Sequence, residues 1–154
     1  MRRVSIDTNL LLLLLVGSTA KKYISEHKRL SNYSIDDFET LVDIIGGFSE
    51  IVVVAHTLAE TSNLIRYIAG PAKARIIEKM RQFVILTSEL AIASASAASR
   101  HEFITLGLTD CVLLELAAAR VNPPTLLTHD LDLAIAAEMQ GLPVINFEHF
   151  REIR

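Results

Sequence analysis

Short apolar runs alternate along the chain with longer segments of helical periodicity. The runs rich in β-branched residues predict five strands, at residues 3–6, 51–54, 83–86, 125–127 and 144–145. Segments with helical spacing lie between them, at residues 8–16, 35–45, 58–68, 72–81, around 89–104, 111–121 and 131–140. Strands that alternate with helices favour a parallel sheet covered on both faces. We therefore predict a three-layer α/β/α fold with a central, mostly parallel sheet of about five strands.

The N-terminal apolar run at residues 10–16 follows Arg2 and Arg3 and so resembles the start of a secretory signal. It is far shorter than the ~20 apolar residues that span a bilayer. Asp7 and Asn9 also lie directly against it. A helix that is apolar on every side is buried all round. The run therefore predicts a helix in the core or in a subunit interface, and we expect no membrane partner.

The composition excludes several classes of protein. A chain of 154 residues predicts one domain, at 1–154, and 51% hydrophobic residues are too many for a disordered chain. The 15 basic and 18 acidic residues give a net charge of −3, which excludes a globally basic nucleic-acid binder but allows a local basic patch. Cys111 is the single cysteine, so no internal disulfide can form and we expect a cytoplasmic protein.

Four acids follow the predicted strands or begin the predicted helices: Asp7, Glu60, Asp110 and Asp130. In an open parallel sheet, strands end and helices begin along one edge, where ligands bind. Two such charges about 4 Å apart repel by about 4 kcal/mol at an effective dielectric near 20. A cluster of this kind requires a compensating cation, and oxygen ligands favour Mg²⁺ or Mn²⁺.

Each acid also has a purely local explanation. Asp7 and Asp130 are suited to cap a helix, and Asp110 to lie in a first turn. Glu60 completes a capping box with Thr57. Caps do not explain the hydroxyl and amide residues beside these acids, which are Thr8, Asn9 and Thr128. Asp132 is a weaker fifth acid that is either solvated or orients a neighbour.

Four segments in this order resemble the motifs of PIN domains, a family of small metal-dependent nucleases. They are SIDTNL at 5–10, LAETSNL at 58–64, GLTD at 107–110 and LTHDLDL at 127–133. The chain departs from the family in two ways. Leu133 stands where many relatives carry Phe, and we expect residues around 20–47 to form a helical insertion.

The resemblance implies a metal-dependent endoribonuclease, and small members are often the toxin of a toxin–antitoxin pair. Asp7, Glu60, Asp110 and Asp130 would be catalytic and would hold Mg²⁺ or Mn²⁺. Thr8, Asn9, Thr128 and Asp132 would orient them. The implied partners are an RNA substrate and an antitoxin protein, and the apolar surplus of the chain predicts a homodimer.

Two other functions stay open. A catalytically silent module of this fold would bind nucleic acid or protein. An aspartate-nucleophile phosphatase would use Asp7, but it needs a second Asp two positions later, where this chain has Asn9. A zinc hydrolase built on His56 and His129 is disfavoured, because zinc ligands are usually more tightly spaced.

A basic segment follows the Glu60 helix. Its five cations outnumber the one acid, Glu78, and they are Arg66, Lys73, Arg75, Lys79 and Arg81. Contacts between such residues and phosphates supply affinity without reading sequence. We predict that this segment binds substrate, and a solvated helix face is the alternative explanation. Lys21-Lys22 and Lys28-Arg29 form a second, weaker candidate.

Overall fold

A five-stranded sheet in which every strand is parallel forms the centre of the computed structural model, which describes residues 2–152. The strands are β1 Arg3–Ile6, β2 Glu50–Val53, β3 Ser88–Glu89, β4 Thr125–Thr128 and β5 Val144–Asn146. Their order across the sheet is β3-β2-β1-β4-β5. In register, Val4 pairs with Ile51 of β2 on one side and with Thr125 of β4 on the other.

Helices cover this sheet in the part of the chain that the structure describes. They are α1 Thr8–Thr19, α2 Tyr23–Glu26, α3 Ile35–Gly46, α4 Ala55–Leu64, α5 Pro71–Leu86, α6 Ser94–Ala98, α7 Phe103–Leu106, α8 Leu108–Ala117, α9 Leu131–Met139 and α10 Phe147–Glu152. A 3₁₀ turn spans Lys28–Leu30. The α/β class and the three-layer arrangement are therefore confirmed, and residues 20–47 are largely helical.

The two faces of the sheet carry separate apolar cores, because successive strand residues point to opposite faces. Val53 belongs to the core beneath α1 to α5, whereas its neighbours Val52 and Val54 belong to the core beneath α8 and α9. In β4, Leu127 and Leu126 divide in the same way. The continuous apolar runs in the sequence are thus explained by burial on both faces.

Helix α1 is buried on nearly all sides, as predicted from its apolar run. Leu10, Leu11, Leu12 and Leu13 are each 0% exposed. Gly17 permits a close contact, since a Cβ atom there would lie 2.2 Å from the Phe38 ring of α3. The run therefore belongs to the core of the protomer and supplies no apolar surplus for a dimer. Among the described helices, none has the length and apolarity needed to cross a bilayer.

The predicted third strand at 83–86 is wrong. These residues form the last turn of α5, and the strand lies two residues later, at Ser88–Glu89. Helix α5 begins with Pro71 after Gly70. It buries Ala72, Ile76 and Met80 along one face, and packing of that face stabilises the helix as far as Leu86 despite the β-branched residues near its end. Ile85 and Leu86 are consequently exposed, at 68% and 83%.

Several predicted helix bounds also need correction. The helices predicted at 58–68 and 111–121 begin three residues earlier, at Ala55 and Leu108, and end earlier as well. In the stretch around 89–104, Glu89 ends β3, residues 90–93 are not helical, and the helices α6 and α7 are separated by a turn at 99–102 in which Arg100 pairs with Glu102 and Glu115. Local propensity alone does not show where such tertiary contacts interrupt a helix.

Candidate functional site

An acidic cavity of about 410 Å³ lies at the carboxyl ends of the central strands. We use this name for the cavity lined by Asp7, Thr8, Asn9, Arg29, Glu60, Asn63, Leu64, Asp110 and Asp130. After β3 the chain crosses to the other side of β1 to form β4, so β1 and β4 flank a topological switch point. Ligands of open α/β sheets bind at such points. All four acids singled out from the sequence line this one cavity.

Asp7 is the most constrained of the four. It directly follows β1, and its backbone N–H still donates to Leu127 O of β4 at 3.0 Å. Its Oδ1 accepts from the Thr8 N–H at 2.7 Å, which caps α1, and its Oδ2 accepts from the Thr128 hydroxyl at 2.7 Å. Asp7 is thus a helix cap, as the local explanation holds, and a cavity residue as well.

Glu60 does not form the capping box with Thr57. The Thr57 hydroxyl donates to Val54 O at 3.1 Å, and Glu60 lies in the second turn of α4 because that helix begins at Ala55. Two other hydroxyls bind the Glu60 carboxylate instead. Thr8 donates to Oε1 and Thr109 donates to Oε2, each at 2.8 Å. Glu60 therefore joins α1 to the start of α8 across the cavity.

Asp130 and Asp110 are the other two acids of the cavity, and they lie at the starts of α9 and α8. Asp130 caps α9, because its Oδ1 accepts from the Leu133 N–H at 3.0 Å. The Thr128 hydroxyl accepts from the Asp130 N–H at 3.0 Å while it donates to Asp7, so it links the two acids. Asp110 lies in the first turn of α8 and not before the helix.

The electrostatics of the acidic cavity are unfavourable for four ionised carboxylates. Burial raises the pKa of Asp7, against the lowering effect of the Thr128 and Thr8 hydrogen bonds, and Asp130 and Glu60 raise it further. Burial together with the charges of Asp7, Asp130 and Glu60 raises the pKa of Asp110 to about 7. Within residues 2–152, none of the four acids forms an ion pair with a Lys, Arg or His side chain.

The described residues do not form a ready-made metal site. Across residues 2–152, no three His, Cys, Asp or Glu side chains are arranged so that they could hold a metal ion together. The donor set is nevertheless chemically suited to a hard cation, since it consists of carboxylates, with the amides of Asn9 and Asn63 beside them. Each oxygen of Asp7 and Glu60 accepts one hydrogen bond and keeps a second lone pair, so these bonds orient the carboxylates without excluding a cation.

The remaining predicted residues divide into two groups. Thr8, Asn9 and Thr128 lie at the acidic cavity or bond to its acids. Asp132 lines a different, more apolar cavity between α7 and α9 instead. The five predicted substrate-binding cations do not line the acidic cavity: they are Arg66, Lys73, Arg75, Lys79 and Arg81. Of these, Arg75 donates to the Tyr23 hydroxyl at 2.8 Å, and Arg81 pairs with Glu78 at the surface.

Two contributors to the cavity, Thr109 and Asn63, were not singled out from the sequence, and a third, Arg29, was only part of the second basic candidate. Thr109 binds Glu60, and Asn63 and Arg29 line the cavity. Asn63 had a local signal, since it lies three positions after Glu60 and so on the same helix face. Arg29 was part of the weaker basic candidate, and only the fold of residues 20–47 brings it to the acids.

The histidines weighed for a zinc site have other partners. His129 Nδ1 lies 2.7 Å from the Tyr33 hydroxyl, and its Nε2 lies 2.6 Å from Glu148 Oε2. His56 Nε2 lies 2.9 Å from the Ser94 hydroxyl. Neither histidine lines the acidic cavity. The geometry therefore favours a site of oxygen donors.

No protein-family model matches the chain, and comparison with curated proteins gives no match either. The residues of this chain and their arrangement are therefore the basis for a functional proposal, and the resemblance to PIN domains stays a prediction.

Proposed function

We propose that the chain is a metal-dependent endoribonuclease that hydrolyses phosphodiester bonds at the acidic cavity. One observation carries the proposal. Four carboxylates from separate elements share one cavity at the switch point of a parallel sheet, and none is paired with a cation of the described chain. An arrangement that leaves its negative charges uncompensated is suited to bind an external cation.

Mg²⁺ or Mn²⁺ is the cation that suits this donor set, and Asp7, Glu60, Asp110 and Asp130 are the residues that would hold it. When bound, such an ion stabilises charge on a phosphate and lowers the pKa of its water. The side chains around it have defined tasks. Thr128 and the Thr8 N–H orient Asp7, and the hydroxyls of Thr8 and Thr109 orient Glu60.

The resemblance also supplies proposals for the partners and the compartment. An RNA substrate, a protein antitoxin and a cytoplasmic location are consistent with a small intracellular nuclease. A second copy of the chain is proposed to cover exposed apolar residues on α5, where Val84, Ile85 and Leu86 are 39%, 68% and 83% exposed.

The test is cleavage of a mixed set of single-stranded and structured RNAs, with Mg²⁺ or Mn²⁺ and with EDTA. We expect cleavage to require the metal. Asp7→Asn should lower the rate at least about hundredfold, since losing even an orienting partner of a metal ligand costs about 10- to 100-fold. Asp132→Asn is the matched control, because it removes the same charge outside the acidic cavity, and it should leave the rate unchanged.

Other outcomes separate the alternatives. Turnover of a phosphate monoester without RNA cleavage would favour the phosphatase. RNA binding that neither metal nor Asp7→Asn affects, together with no cleavage, would favour the silent module. Equal activity of the Asp7→Asn and Asp132→Asn variants would remove the acidic cavity from the mechanism.

A further inference from the structure

The 3₁₀ turn Lys28–Leu30 is bonded to the chain that follows the Glu60 helix. His27, which is 2% exposed, makes one bond within the turn and one to that chain. Its Nδ1 accepts from the Arg29 N–H at 3.1 Å, and its Nε2 lies 3.2 Å from Ile65 O. Because a carbonyl only accepts, Nε2 carries the proton and the ring is neutral. Burial lowers the His27 pKa, which favours the same neutral form.

A second link holds the turn in place. The Lys28 N–H donates to Tyr67 O at 3.1 Å, and the guanidinium carbon of Arg29 lies 5.1 Å from the centre of the Tyr67 ring. Cation–π contacts of this kind restrict where a guanidinium can lie. The side chain of Arg29 is therefore held from two sides, by its backbone through His27 and by its head group on Tyr67.

Arg29 lines the acidic cavity together with its four acids. Among the ion pairs of residues 2–152, none involves Arg29. Arg29 thus lies at the cavity without an ion pair to its acids, and its planar set of N–H donors matches a phosphate.

We propose that Arg29 is a substrate-binding residue that contacts a phosphate of the nucleic acid at the acidic cavity, and that Tyr67 is the positioning residue that holds its guanidinium. This inference rests on the proposed function. It also replaces the cations of α5 as the first contact, since those do not line the cavity.

The competing explanation makes Arg29 a counterion that reduces repulsion among the acids. The two explanations differ in what metal and RNA do. A counterion competes with metal, so its removal strengthens metal binding and lowers stability without changing RNA affinity. A phosphate contact acts on RNA affinity and on its salt dependence.

The experiment measures binding of a short fluorescein-labelled single-stranded oligoribonucleotide by anisotropy, in Mg²⁺, with Asp7→Asn in every protein to prevent turnover. Arg29→Ala should weaken binding about 10- to 100-fold, the value of a charge-assisted hydrogen bond. It should also reduce the slope of log affinity against log salt by about 0.7, as for one phosphate contact on a single strand. The RNA affinity of the Arg29→Lys variant should lie between that of Arg29→Ala and that of the protein that keeps Arg29.

Arg2→Ala is the matched control. Arg2 also places its guanidinium on an aromatic ring, 4.6 Å from the centre of Phe48, but it precedes β1 and so lies at the opposite edge of the sheet. Its loss removes the same charge and should leave affinity and salt slope unchanged. Tyr67→Ala should weaken binding less than Arg29→Ala, and Tyr67→Phe, which keeps the ring, should restore it.

Steady-state cleavage with Asp7 intact gives the second readout. Arg29→Ala should raise KM and change kcat little if the contact holds substrate equally in the ground and transition states. Unchanged affinity and KM in Arg29→Ala, with cleavage intact, would overturn this inference and leave the nuclease standing. Tighter Mn²⁺ binding with unchanged RNA affinity would assign Arg29 as a counterion. No RNA binding and no cleavage by any of the proteins would overturn the proposed function together with the inference.

Discussion

Two groups of carboxylates in this molecule have opposite electrostatics. The Arg100 cluster, which we define as Arg100, Glu102, Glu115 and Gln140, is compensated. Arg100 donates to Glu115 Oε1 at 2.7 Å and to Glu102 Oε2 at 3.2 Å, and it also donates to Gln140. The hydrogen bond from Arg100 is the main cause of the lowered pKa of Glu115. Burial acts to raise the pKa of Glu102, but its hydrogen bonds and Arg100 outweigh that effect.

The acidic cavity also groups carboxylates, but within residues 2–152 none of them forms an ion pair, although Arg29 lines the cavity. Burial raises the pKa values of Asp7 and Asp110, and the hydroxyl and N–H donors that orient Asp7 and Glu60 carry no full charge to offset it. The contrast shows that this chain pairs buried acids with arginine where they serve packing. The acids at the switch point form no ion pair within the described residues, and we therefore propose that a cation from outside the protein binds there.

The largest expected effect is the loss of stability when Arg100 is removed from the Arg100 cluster. Arg100→Met leaves Glu102, whose side chain is 8% exposed, without its guanidinium. Stranding one member of a buried pair costs about 3–5 kcal/mol, so the free energy of unfolding in urea should fall by that amount. Arg81→Met is the control, because the Arg81–Glu78 pair is 70% and 55% exposed and should change stability by at most about 0.5 kcal/mol. Equal losses in both variants would contradict the distinction.

A smaller loss of stability is expected when the hydroxyl that links two acids of the acidic cavity is removed. The Thr128 side chain is 0% exposed and bonds to both Asp7 and Asp130. Thr128→Val should therefore cost about 1–3 kcal/mol of stability, as for unsatisfied buried partners. It should also move the acidic midpoint of cleavage to higher pH, because the Thr128 bond lowers the Asp7 pKa.

The control for Thr128 is a buried threonine without a carboxylate partner. The Thr61 hydroxyl donates to Thr57 O at 2.7 Å within α4. Thr61→Val should lower stability without moving the pH midpoint of cleavage. A midpoint that shifts equally in the two variants would show that Thr128 acts through stability alone.

The smallest expected effect is the pH dependence of the metal-free protein. The pKa of Asp110 rises from 3.8 to about 7 on folding, so the folded state binds its proton more tightly than the unfolded state. The stability that this proton contributes is present below pH about 4 and is lost as pH rises towards 7. Asp110→Asn should flatten that loss, by about 1 kcal/mol or less because solvent screens the site.

Urea unfolding with EDTA across this pH range gives the measurement. Saturating Mn²⁺ should reverse the trend, because metal binds the ionised acids and stabilises the folded state more as pH rises. Glu115→Gln serves for comparison, since the Glu115 pKa is lowered and its contribution is instead lost as pH falls. An Asp110→Asn variant with the pH profile of the parent chain would contradict the shared acidic site.

Features that depend on neighbouring residues could be predicted from the sequence. Asp7 directly follows β1, and Asp130 lies two residues after β4. Parallel pairing then brings both to the same sheet edge, whatever the helices do. The apolar run of α1 likewise predicts its burial. The error at residues 83–86 arose because β-branched residues fit either a strand or the end of a helix, and the buried stripe of α5 decided between them.

The chain order and hydrophobic pattern by themselves therefore determined the α/β class, the buried first helix and the edge at which the acids lie. Only the tertiary structure decided which partners those acids have. Thr8 and Glu60 are 52 residues apart in sequence, and Thr109 and Glu60 are 49 apart. Arg29 reaches the cavity through the bonds of His27 and Tyr67. Periodicity reports which face of an element is buried, whereas the meeting of side chains from distant elements depends on how those faces pack in three dimensions.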